Sequence, residues 1–176
     1  NKLDLEQIDI EQKDIHGGSI RIHISRKNNF EINPIVNLLI KRENKAKLTS
    51  KNNLNNFKNK VIKNRLNLIM LLTKLKLAGK KIAALSAPAK GMTLLNYCKI
   101  DSHLLDFITE KSALKIGRYT PGTHIPVLPD SALLDHQPEY ALLLAWNFAD
   151  EIIKNLDEYR KRGGKFIIPI PAPTIV

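Results

Sequence analysis

The stretch KIAALSAPAKGMTLLNYC, Lys81–Cys98, joins a short apolar run to a helical one across a single proline. KIAALSA is bounded by Lys81 and Pro88, and its length favours a buried strand over a helix. Pro88 fits the first turn of the helix Ala89–Cys98, where its missing N–H is no loss. Three more apolar runs repeat the pattern: LLDFIT (Leu104–Thr109), YALLLAW (Tyr140–Trp146) and KFIIPIP (Lys165–Pro171). Between the last two, Asp150–Arg162 has acids in its first turn and bases in its last, as a helix dipole prefers. Gly163 and Gly164 end it. Strand and helix alternate, so the predicted class is α/β, a parallel sheet with crossover helices.

Upstream of this core the texture differs. SIRIHISR, Ser19–Arg26, alternates Ile20, Ile22 and Ile24 with Arg21, His23 and Ser25, the period of a strand with one buried face. Pro34 opens a helical stretch, and a longer helix is expected from about Leu54 to Ala78, closed by Gly79. In it Leu54, Phe57, Val61, Leu68, Leu72 and Leu75 share one face, which reads as core packing. The expected division is an N-terminal strand segment over 1–30, a basic helical arm over 31–79 and the α/β core over 80–176, one domain overall.

A chain of 176 residues suits one domain with an arm rather than separate cofactor and substrate modules. With 43% hydrophobic and 26% charged residues, it has the apolar content to fold. The single cysteine, Cys98, excludes an internal disulfide and any cysteine-rich zinc site, and the five histidines lack metal-ligand spacing. No apolar run is long enough to cross a bilayer and the start has no signal pattern, so no membrane partner and a cytoplasmic location are expected. The chain begins with Asn1, which suggests a piece of something longer.

The net charge is +11, and thirteen basic residues against Glu43 alone lie between Lys41 and Lys81. That segment has one aromatic, Phe57, and many asparagines, so bases would find little to stack on. A solvated helix face is the expectation, an approach surface for an anionic substrate the alternative, and nucleic acid the weakest reading.

In a parallel sheet, ligands collect beyond the carboxyl ends of the strands. Ser86-Ala87-Pro88-Ala89-Lys90-Gly91 stands there, where a dinucleotide-binding turn carries G-x-G-x-x-G, and only the last glycine survives. A helix start with free N–H groups, the Ser86 hydroxyl and the Lys90 ammonium still makes an anion site; a plain strand-to-helix turn is the alternative. Asp106 and Glu110 stand about 20 positions on, as a ribose-gripping acid would. Both also read as ordinary surface carboxylates. His16-Gly17-Gly18-Ser19 is a turn or a backbone-lined substrate contact. His124, in the Gly- and Pro-rich loop Gly117–Pro126, is a candidate general acid or base. Trp146 and Phe148 read as core, while Asn147 caps the next helix or reaches a ligand.

SAPAKGMTLLNYC (Ser86–Cys98), GRYTPGTHIPVL (Gly117–Leu128), LLLAWNFADEI (Leu142–Ile152) and GGKFIIPIPAP (Gly163–Pro173), with HGGSIRIHIS (His16–Ser25) ahead of them, closely resemble the C-terminal domain of sugar C-methyltransferases. The resemblance spans about Asp14 to Val176 and keeps five motifs in order. It implies an enzyme of three parts: an N-terminal zinc-binding module, a central S-adenosylmethionine-binding domain, and this Rossmann-like C-terminal domain, which helps hold a nucleotide-linked keto-deoxysugar. The cysteine ligands, the cofactor-binding glycine loop and the Tyr-His-Glu-His catalytic stretch would then lie before residue 1. This chain is accordingly expected to bind neither S-adenosylmethionine nor metal, to contain no catalytic residue and not to methylate alone. Its expected partners are the nucleotide-linked deoxysugar and the upstream methyltransferase domain. Ser86, Pro88, Ala89, Lys90, Gly91 and Asn147 become the substrate-binding candidates, with His16, Gly17, Gly18, Ser19, Glu110 and His124 in second place. Two departures stand out: Ser86 where the family usually has glycine, and Thr109-Glu110 where the acid ending the second strand is displaced. The alternative function is a nucleotide or dinucleotide binder with no methyl-transfer partner.

Overall fold

A computed structural model describes residues 3–15 and 17–176. The chain divides into two compact units, 1–58 and 59–176. In chain order its elements are β1 (Leu5–Lys13), β2 (Ser19–Arg26), α1 (Pro34–Ala46), α2 (Lys51–Leu77), β3 (Ile82–Leu85), α3 (Ala89–Cys98) and β4 (Phe107–Glu110). There follow β5 (Val127–Pro129), α4 (Ala132–His136), β6 (Tyr140–Leu143), α5 (Ala149–Asn155), α6 (Asp157–Lys161), β7 (Lys165–Ile168) and β8 (Thr174–Ile175). The unit boundary falls within α2.

In the first unit β1 and β2 form an antiparallel hairpin, with α1 against β1. The register slips between Gln7 and Asp9. Such a bulge inserts a residue, which is why Leu5, Ile8 and Ile10 do not keep a period of two. The strand expected at Ser19–Arg26 forms, but its apolar face is not buried: Ile20, Ile22 and Ile24 are 55%, 40% and 59% exposed. Alternation sets which face a side chain is on, not whether anything covers that face. Leu54 and Phe57, expected in the core, are likewise exposed. On the opposite face of the hairpin Glu11 pairs with Lys13, Arg21 and His23.

The second unit is a six-stranded sheet in the order β5-β4-β3-β6-β7-β8, parallel except for β8. The first strand of the unit is central and the chain reverses direction of travel across it, the arrangement of a doubly wound dinucleotide-binding fold. All four residues of β3 are buried, as a strand covered on both faces requires. Ile82 and Ala84 meet Leu68 and Leu72 of α2 and Leu94, Leu95 and Cys98 of α3. Leu85, Ala141, Leu143 and Phe166 face Leu133, Ala149 and Tyr159 on the other side. Cys98 is a packing residue, and burial pushes its thiol pKa up. The helix expected at Asp150–Arg162 breaks at Leu156 into α5 and α6.

Gly164 leads into β7, and an added Cβ would stand 2.3 Å from the Tyr159 ring. Gly164→Ala must therefore push that ring off its place, at a cost of about 1 to 3 kcal/mol. Tyr159→Phe should cost about 1 kcal/mol, because the buried hydroxyl donates to the Pro138 carbonyl at 2.8 Å. Denaturant melts of both variants check the order, alanine at 164 being the more damaging.

Candidate functional site

The Ser86–Gly91 turn leaves the carboxyl end of β3, and Trp146–Phe148, a short 3-10 turn, leaves that of β6. β3 and β6 pair side by side, extended by Leu144 N–H donating to Leu85 O at 3.2 Å. The crossovers diverge between these strands, so the crevice above them is where a sheet of this type takes its ligand. Lys90 spans it. Its ammonium lies 4.8 Å from the centre of the Trp146 ring and 5.7 Å from that of Phe148, a cation–π placement that holds a charge at the crevice. Trp146 is only half-buried and borders both this edge and the core, whereas Phe148, expected in the core, is exposed.

α3 holds Lys90 in its first turn. Its first closed bond runs from Met92 N–H to Pro88 O, so the N–H groups of Ala89, Lys90 and Gly91 precede the helical ladder and point toward the crevice. Pro88 takes the cap position itself rather than the first turn, and contributes no N–H. Gly91 is required by packing: a Cβ would come 2.7 Å from that of Leu144. This is the close helix–strand approach for which the third glycine of a dinucleotide-binding turn is used. Ser86, at φ 66°, adopts the left-handed conformation that glycine favours.

The structure separates the two acids. Asp106 precedes β4, on the amino side of the sheet, where it accepts from Ile82 N–H at 2.8 Å and pairs with Lys76 at 2.9 Å. It is removed from the candidates for a ribose contact. Glu110 ends β4 on the carboxyl side, but its carboxylate is fully engaged. Oε2 accepts from Ala87 N–H and Lys115 Nζ, both at 3.0 Å. Oε1 accepts from Lys111 N–H at 2.9 Å and Ser112 N–H at 3.2 Å. Partial burial raises the Glu110 pKa, but Lys115 and the three N–H groups outweigh it and hold the carboxyl below its ordinary value. A cavity of about 90 Å³ opens beside it, with Ser86, Thr109, Lys111 and Asp130 among its lining.

Asn147 is half-buried at the same edge as the Ser86–Gly91 turn, and no side-chain cap bond of the following α5 involves it. His124 is exposed beside Tyr119 and stands before β5, on the amino side of the sheet, apart from that turn. Its loop is packed by Thr120, Thr123 and Ile125 and tied to α3 by Asn96. Gly17, Gly18 and Ser19 belong to the hairpin turn of the first unit, where Gly18 N–H and the Ser19 hydroxyl both donate to Ile15 O. His16 lies outside the described residues. Among the described residues no group of His, Cys, Asp or Glu is placed to hold a metal ion, and no helix is long and apolar enough to cross a membrane. Lys115 and Trp146 were missed as site residues; the basic residue five positions after the strand-ending acid was the available signal for the first.

The profile of the family described as the C-methyltransferase C-terminal domain matches residues 14–171. The chain belongs to this family. It is 32% identical over 173 residues to the C-methyltransferase NovU of Streptomyces niveus, a match that covers 98% of this chain and 41% of that protein. The chain thus spans about two fifths of the length of the curated relative it matches.

Two tests follow from this geometry. Ser86→Gly should be tolerated, whereas Ser86→Val, β-branched at positive φ, should lose about 1 to 3 kcal/mol by thermal or chemical melting. Because the folded pKa of Glu110 is depressed, its stabilisation is present above the unfolded carboxyl pKa of about 4.3 and lost as pH falls through the folded value. Wild type should therefore lose more stability on acidification below that range than Glu110→Gln, and pH-dependent melts measure the difference.

Proposed function

We propose that this chain forms the part of a sugar C-methyltransferase that holds a nucleotide-linked keto-deoxysugar, with the diphosphate against the Ser86–Gly91 turn. The observation that carries the reading is the Lys90 ammonium, stacked on Trp146 at the point where the sheet's crossovers diverge. There it adds a charge to the N–H groups of Ala89, Lys90 and Gly91. In a family named for C-methyl transfer, the chain's own residues bind and orient rather than transfer the methyl group. S-adenosylmethionine, zinc and the transfer residues belong to the remainder of such an enzyme, and that remainder is the protein partner of this chain in the cytoplasm. Pro88 supports this division, because it stands where a cofactor loop needs glycine to let its backbone approach.

A second reading, a dinucleotide binder, is favoured by the strand order and by the close fit of Gly91 on Leu144. Calorimetric titration with thymidine diphosphate and with NAD separates the two readings. Preference for the first supports the nucleotide-sugar site; preference for NAD overturns it.

Lys90→Ala should weaken binding of thymidine diphosphate by roughly tenfold to a hundredfold, the loss expected of one charge-assisted contact. The melting temperature should fall only modestly, since a cation–π contact between two half-buried side chains contributes about 1 kcal/mol, between the values for exposed and desolvated pairs. Lys74→Ala, on the exposed side of α2 near its carboxyl end, should leave affinity unchanged. Equal losses from the two variants would show that diffuse charge drives binding and not a defined phosphate site.

A further inference from the structure

We propose that Glu110 and Lys115 are positioning residues that set the anion-binding turn, and that Glu110 does not read the ribose. The inference rests on the nucleotide reading above. In dinucleotide-binding sheets the acid that ends the second strand accepts from the ribose hydroxyls. Glu110 occupies that position on β4, but four donors from this chain already fill its two oxygens. A carboxylate has about four acceptor sites, and a ribose hydroxyl would have to displace one of these partners.

What the carboxylate holds is the turn. Ser86 N–H donates to Thr109 O at 2.9 Å, Ser86 then swings to positive φ, and Ala87 N–H is thereby aimed at Glu110 Oε2. Lys115 Nζ closes the loop by donating both to Glu110 and to Ala87 O, each at 3.0 Å. Both polar groups of Ala87 are thus anchored one residue before Pro88 and two before the first free N–H of α3. A serine in the left-handed region persists only where its surroundings fix it, and this pair supplies the fixing. Lys115 also neutralises the carboxylate, so an acid can stand at an anion site without repelling the ligand. The placement of the Ala89, Lys90 and Gly91 donors therefore depends on two side chains that do not touch the ligand.

The test uses the 176-residue chain with Glu110→Gln, Lys115→Met and the double variant. Amide exchange followed by NMR reads the turn without ligand, and calorimetry reads uridine diphosphate and 2′-deoxyuridine diphosphate. Either single variant should speed exchange at Ala87 N–H relative to core amides such as Leu142, and weaken both nucleotides by roughly tenfold or more. The double variant should be little worse than the weaker single, as for partners in one contact. Wild type should bind the two nucleotides within about threefold of each other, well under the 1.4 kcal/mol of a tenfold preference. A clear preference for the ribonucleotide that Glu110→Gln erases would make Glu110 a ribose ligand and overturn the proposal. Unchanged Ala87 exchange, or an equal rise across the core amides, would overturn it too. Failure of wild type to bind either nucleotide would overturn the nucleotide reading, while the exchange result still decides whether the pair holds the turn.

Discussion

Every feature of the second unit hangs on the hydrogen bonding of β3 along both of its edges. Ala83, Ala84 and Leu85 pair with β4, and Ile82 through Leu85 pair with β6. Only four residues long and buried throughout, the strand has no polar side chain with which to satisfy its backbone, so its neighbours must do so. Its amino end is finished by carboxylates: Asp106 accepts from Ile82 N–H, and Glu139 accepts from Lys81 N–H at 2.9 Å and pairs with Lys80. Its carboxyl end is finished by Glu110 on the turn that follows. An acid from a neighbouring segment thus closes the central strand at both ends, but only the carboxyl end faces the diverging crossovers. Position in the sheet, rather than residue type, distinguishes a structural carboxylate from one beside a ligand site.

Much of this was legible in the residues. The helix Ala89–Cys98 occupies the expected span, and each of the four apolar runs holds a strand, β4 extending one residue past its run to Glu110. These runs are buried on both faces, which writes a continuous apolar signal into the sequence. β5 and β8 were not legible, since three and two residues at the margins of the sheet carry no period. β1 was hidden by its bulge. The exposed isoleucine face of β2 is a different kind of case: the strand was read correctly and its burial was not, because a period of two records an apolar face without recording its cover.

The site was legible to the extent that topology could be inferred. Once β3 and β6 are taken as parallel neighbours, Ser86–Gly91 and Asn147 must share an edge, and they do. Lys90 was legible as a cation at a helix start, but its seat on Trp146 was not, because that contact joins residues far apart in sequence. Glu110 and Asp106 are only four residues apart, and spacing alone could not divide them. The four residues of β4 between strand start and strand end place them on opposite sides of the sheet.

The chain's basic excess lies between Lys41 and Lys81, and lysines on an exposed helix are screened over about 8 Å at physiological salt. Charge on the strand-end turns is nearly balanced instead: Lys90 stands on the Trp146 ring, Lys115 pairs with Glu110, and Lys111 and Asp130 line one small cavity. A site so balanced attracts an anion weakly from a distance. Its selectivity must come from where its donors are held, because an N–H group or ammonium gains most when it is already aimed and loses no ordering entropy on binding. Three constraints fix that aim: Gly91 against Leu144, Lys90 on the Trp146 ring, and Ala87 between Glu110 and Lys115. Each fixes a different point on one short turn, so loosening any one leaves the other two to hold a turn that also contains a strained serine.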